Sequence, residues 1–180
     1  MASVIEPDDI DWSRYMRDSE PAAKVRPASA YADVVAQHFV RRDRPDGMLL
    51  PWGKTHGDIA LRPGEVSAWA GINGHGKSIM LGQVVLGLMA QQQRCCIASF
   101  EMKPVMTLRR MTRQASQGSM PSREFGHRFF DWNDPLLDLY DKQGTVRADR
   151  VLAVARHAAA ERKTRHLFID SLMKCVRGED

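Results

Sequence analysis

Ala68-Trp69-Ala70-Gly71-Ile72-Asn73-Gly74-His75-Gly76-Lys77-Ser78 is the stretch on which the reading of this chain turns. From Gly71 onward it matches the pattern G-x-x-x-x-G-K-[ST], with Gly71, Gly76, Lys77 and Ser78 in the required places. An apolar run, Val66 to Ala70, precedes it, and a segment of helical character, Ile79 to Ala90, follows. The sequence therefore predicts a strand over 65–70, a phosphate loop, and a helix over 77–91. Glycines at 71, 74 and 76 let the backbone curl so that its N–H groups point inward, and the helix offers its positive end to the same anion. On this reading Gly71, Ile72, Asn73, Gly74, His75, Gly76, Lys77, Ser78 and Ile79 surround the phosphates of ATP. Lys77 reaches the β- and γ-phosphates as a catalytic cation, and the Ser78 hydroxyl takes one position on Mg²⁺.

Two carboxylates extend the pattern towards the C-terminus. The segment 94–100 is short and nearly all apolar, as a buried parallel strand is, and Glu101 follows at its carboxyl end, where α/β sheets place their chemistry. A carboxylate there reaches the water that attacks the γ-phosphate. The structural alternative makes Glu101 a helix cap or a partner for Lys103 or Arg109. Leu167-Phe168-Ile169-Asp170 is three apolar residues and then an acid, the way a metal-side carboxylate is delivered beside a phosphate loop. Ser171 either bonds near the γ-phosphate or caps a helix.

The rest of the chain supplies the frame. Met80, Leu81, Val84, Val85, Leu88 and Met89 form a broad apolar face on the helix over 77–91, the methionines serving as core filler. A helix over 103–113 turns Leu108 and Met111 inward and Arg109, Arg110 and Arg113 outward. A polar loop over 114–126, a short strand or the approach to one over 128–132, and a strand over 136–140 follow. Then come a turn over 141–144, a helix over 148–162 and a strand over 166–169. The inner face of the helix over 148–162 is assigned to Val151, Leu152, Val154, Ala155, Ala158 and Ala159. Alternating strands and helices predict an α/β domain over 48–180, with a mainly parallel sheet flanked by helices. Residues 1–47, broken by Pro7, Pro21 and Pro27, read as a linker arm with a short helix from Tyr31 to Phe39 and a charged loop around Arg41, Arg42 and Arg44. Trp52 is expected to pack, with His56 near the nucleotide.

A formal charge of +4 over 180 residues is a modest field: it permits a polyanionic partner without demanding one. No run approaches the roughly 18 apolar residues of a spanning helix, and the acidic N-terminus is no signal peptide. The expectation is a cytoplasmic protein of a bacterial or phage-infected cell, without membrane attachment. Cys95, Cys96 and Cys175 are too few for a disulfide framework; the first two read as buried small hydrophobes.

Three phrases together resemble a known family: Leu61-Arg62-Pro63-Gly64-Glu65 before the loop, Ser99-Phe100-Glu101-Met102 after the second strand, and Phe168-Ile169-Asp170-Ser171-Leu172-Met173-Lys174-Cys175. They resemble the RecA-like P-loop NTPase core of hexameric replicative DNA helicases of the DnaB type, most of all the bacteriophage and mitochondrial branch. The resemblance covers roughly residues 48–180. It implies Glu101 as catalytic base, Lys77 and Ser78 as the loop's phosphate and Mg²⁺ ligands, Asp170 on the metal and Arg109 as a family arginine. It also implies a hexameric homo-oligomer, single-stranded DNA in the ring, and a helicase loader or primase as partner. The family's sensor segment, channel loops and arginine finger follow the Asp170 strand, so this core is expected to be C-terminally incomplete. His75 sits where a small residue is commoner, and Ser78-Ile79 replaces a serine-threonine pair. Another RecA- or KaiC-like ATPase and a non-catalytic nucleotide-binding module are the alternatives.

Overall fold

The computed structural model describes residues 26–40, 47–72, 74–118 and 120–175, in two units divided between Arg44 and Pro45. In the first, a 3-10 turn, Ala28–Tyr31, runs into helix α1, Ala32–Val40, close to the helix expected from the sequence. Its Tyr31, Val34 and Val35 are exposed. The expected arm over 1–25 and the arginine-rich loop at 41–46 lie outside the described residues.

The second unit is built on β3, Cys95–Ser99, all of whose residues are buried. Strands β4, Leu137–Leu139, and β5, His166–Asp170, flank it in parallel, in the order β4-β3-β5. Successive side chains of a strand point to opposite faces, and each face here has its own cover. Cys95 and Ile97 join Val85, Leu88, Met89, Met111 and Phe129 in the larger core. Ala98 and Phe100 join Val146, Val151 and Cys175 in the smaller one. A strand covered on both sides has no solvated face for polar residues, hence its unbroken apolar run.

Helix α2, Lys77–Ala90, presses Val84, Val85, Leu88 and Met89 onto the sheet. Helix α3, Pro104–Ala115, starts with proline, whose missing N–H costs nothing in a first turn. The Gln114 amide of α3 donates to the Ile79 carbonyl at 2.8 Å and ties α3 to the first turn of α2. At the opposite end of the sheet, the Arg94 guanidinium donates to the carbonyls of Pro135 and Arg162. Among the described residues no helix is long and apolar enough to cross a membrane.

Four expectations need correction. Residues 65–70 form no strand: they lack regular structure and are exposed, Val66 almost fully. A strand exists only as a ladder, and among the described residues the backbone of 66–70 pairs with none. The segment 128–132 is not a strand but part of helix α4, Arg123–Asn133, because the Ser122 hydroxyl accepts from the Phe125 N–H and caps its start. Phe125, Phe129 and Asn133 then recur at helical spacing, with Phe129 and Asn133 buried. On α2, Met80 is exposed at the rim while Met89 fills the core. On α5, Ala148–Ala160, Val151 and Ala158 are buried, but Leu152 and Ala159 face outward. A two-residue antiparallel pair, β1 (Met48–Leu49) with β2 (Ala60–Leu61), was not expected at all.

Candidate active site

The beginning of α2 is set by two glycines in the left-handed region, Gly74 at φ +84° and Gly76 at φ +83°, a conformation that strains side-chain-bearing residues. The Gly76 carbonyl accepts from the N–H groups of Ile79 and Met80, both at 2.9 Å, and so starts the helix. Glycine offers no side chain to cap that helix, which leaves its first N–H groups to an anion. Within the loop, the His75 N–H donates to the Ile72 carbonyl at 3.2 Å. Lys77 folds back over it, its Nζ donating to the carbonyls of Gly71 at 2.7 Å and Ile72 at 3.1 Å. Ile72 and Ile79 are exposed, and Asn73 lies outside the described residues.

The two ends of the motif meet. Ser78 Oγ donates to Asp170 Oδ2 at 3.0 Å, from the first turn of α2 to the last residue of β5. Asp170 is buried. Two hard oxygens one hydrogen bond apart suit Mg²⁺, which keeps most of its octahedral shell as water and phosphate oxygen. Among the described residues no group of three or more His, Cys, Asp or Glu is placed to hold a metal by itself.

Glu101 lies on the neighbouring strand end. The β3–β5 register pairs Ser99 with Asp170, and the Phe100 N–H donates to the Asp170 carbonyl at 2.6 Å. Just beyond, the Ser99 hydroxyl accepts from the Met102 N–H at 3.2 Å and turns the chain. Glu101 therefore leaves the sheet beside Asp170, and Ser171 Oγ donates to its Oε1 at 2.7 Å. Lys103 occupies the cap position of α3, and among the described residues Glu101 forms no ion pair with Lys103 or Arg109. Arg109 is exposed on α3.

Trp52 packs against the larger core. The His56 ring nitrogen Nε2 lies 2.9 Å from the Leu50 carbonyl, which fixes its proton on that atom. Burial pushes the Cys95 thiol up to about 12, with the neighbouring Cys96 adding to it. Burial and then Asp138 push Cys96 up to about 11. Neither offers a nucleophile near neutrality.

What reading the sequence missed is the hydroxyl of Ser99 and the bond of Ser171 to Glu101, since Ser171 was expected near the γ-phosphate or as a helix cap. Their only signal there is position: one serine ends β3, the other follows the β5 acid, and the register of two parallel strands makes them neighbours. Residues 30–180 match a family model described as an AAA domain, AAA_25. A search among curated proteins finds no match.

Proposed function

The chain belongs to the AAA_25 family of AAA domains, P-loop ATPases found in DnaB-like helicases, and from that premise we propose that it is the motor core of a replicative DNA helicase. Its reaction is hydrolysis of ATP to ADP and phosphate, coupled to translocation on single-stranded DNA. The observation that supports this best is the junction of Ser78 with Asp170, with Glu101 held at the adjoining strand end.

Lys77 turns from the loop carbonyls to the β- and γ-phosphates and offsets the charge that builds on the transferred group. Ser78 and Asp170 would hold Mg²⁺, which would neutralise phosphate charge. Glu101 orients a water and takes its proton. The water oxygen bonds to the γ-phosphorus, the bond to the bridging oxygen breaks, and its electron pair leaves with ADP. In this reading the working form is a hexameric ring with single-stranded DNA in its channel, gripped through the backbone with little base readout. A loader or primase is its partner, and the cytoplasm its place.

Steady-state ATPase activity with Mg²⁺, with and without single-stranded DNA, tests this, comparing wild type with Glu101→Gln at matched oligomeric state. DNA-stimulated turnover abolished by Glu101→Gln, with nucleotide still bound, is the expected result. Turnover indifferent to DNA points instead to a RecA- or KaiC-like ATPase of another kind. Nucleotide binding with no turnover in either condition leaves a non-catalytic module.

A further inference from the structure

We infer that Ser171 is a positioning residue for hydrolysis, whose hydroxyl aims the Glu101 carboxylate at the attacking water. The inference rests on the reading of Glu101 as general base. Ser171 has the position of a cap for the 3-10 turn Leu172–Lys174, yet its side chain makes no capping bond. The capping is done by its backbone: the Ser171 carbonyl accepts from the Lys174 N–H at 3.1 Å. The hydroxyl is thereby free to cross to the next strand end, where Oγ donates to Glu101 Oε1 at 2.7 Å.

The bond decides which carboxylate oxygen does what. Glu101 is exposed, and an exposed glutamate samples several rotamers that must be given up on ordering. Tying Oε1 to a hydroxyl whose own backbone is fixed by β5 and the following turn removes most of that freedom before substrate arrives. Oε2 is then the oxygen presented for the water's proton. Asp170 and Ser171 are consecutive, and their side chains take different partners. Asp170 reaches back to Ser78 and α2, while Ser171 reaches across to Glu101. Each carboxylate is thus held by a serine hydroxyl, Asp170 by Ser78 of α2 and Glu101 by Ser171, and among the described residues neither forms an ion pair.

The test is a KM-against-kcat split in the full chain, in the oligomeric form that turns over ATP. Ser171→Ala should lower kcat roughly 10- to 100-fold, the scale of a misplaced reacting group, while KM, the ATP dissociation constant and the melting temperature stay at wild-type values. Donor strength sets the order of the rescue series: Ser171→Thr near wild type, Ser171→Cys intermediate, Ser171→Ala lowest. In a Glu101→Gln background Ser171→Ala should cost nothing further, because the group it aims is gone. Loss of kcat in Ser171→Ala matched by lost nucleotide affinity or lower melting temperature, with no recovery in Ser171→Thr, overturns the inference in favour of a structural role. If Glu101→Gln is inactive but Ser171→Ala keeps wild-type kcat, only the positioning role falls. If Glu101→Gln turns over ATP like wild type, the base assignment falls and takes this inference with it.

Discussion

Ser78 Oγ and Asp170 Oδ2, 92 positions apart in sequence, share a hydrogen bond of 3.0 Å that joins the phosphate-loop helix to the sheet. In the proposed reading these two oxygens would hold Mg²⁺ beside the phosphates. Ser78→Ala should therefore weaken ATP binding about 10-fold or more in Mg²⁺, the worth of one hydrogen bond to a charged group, and leave binding in EDTA unchanged. Calorimetric titration in both buffers measures this. An equal loss in both would place Ser78 on the phosphates rather than on the metal.

Gly87 lies where α2 passes Pro51. A Cβ there would sit 2.8 Å from the proline Cβ and 3.3 Å from its Cδ, and the ring has no rotamer by which to yield. Alanine gains up to about 1 kcal/mol as a helix former, but overpacking costs about 1–3 kcal/mol. Gly87→Ala should lower the urea midpoint, although the same change at an unobstructed helix position would raise it.

The three cysteines are free and buried. Burial raises the thiols of Cys95, Cys96 and Cys175, so little thiolate exists at neutral pH and access is poor. An aromatic disulfide reagent should label none of them in the native protein and all of them in denaturant. Rapid native labelling would show that the sheet opens.

His166 opens β5, half-buried, and burial followed by the adjacent Arg165 lowers its pKa below the ordinary 6.5. The unfolded chain then takes up the proton first as pH falls. This contribution to stability is complete above 6.5 and is lost as pH drops towards the folded-state value. His166→Gln should flatten the decline in urea midpoint between about pH 7.5 and pH 5. A variant that declines as steeply as wild type would assign the acid sensitivity elsewhere.

Where the sequence could be read, the signal was local. Cys95–Ser99 and His166–Asp170 carry their burial in their composition, and both became strands of the parallel sheet. Lys77–Ala90 carries its helix in its apolar spacing. Where reading failed, the deciding partner was distant or the signal was mixed. The aromatic cluster Phe129, Phe130 and Trp132 suits a strand by propensity, but a serine cap upstream and the Phe125-Phe129-Asn133 spacing outweigh it. Residues 65–70 have a strand's composition and lack a ladder, which no single segment can reveal. The candidate site was read as residue types at fixed spacings, Ser171 among them. Its bond to Glu101 was not read, because strand register brings the two together.

The bare stretch before Gly71 has a mechanical consequence. With no sheet pairing over 66–70 among the described residues, the cradle takes its placement from behind, through α2, whose Val85, Leu88 and Met89 are 0% exposed. That helix is fixed along its buried residues and again at its loop end, by Ser78 on Asp170 and by Gln114 on Ile79, so core and loop share one rigid rod. A cavity cut at Leu88, more than two turns along α2 from the loop, should disturb the loop as well as loosen the core. Truncations there should register as lost nucleotide affinity in protein that is still folded, and a screen for inactive variants would collect interior leucines and valines along with the lysine.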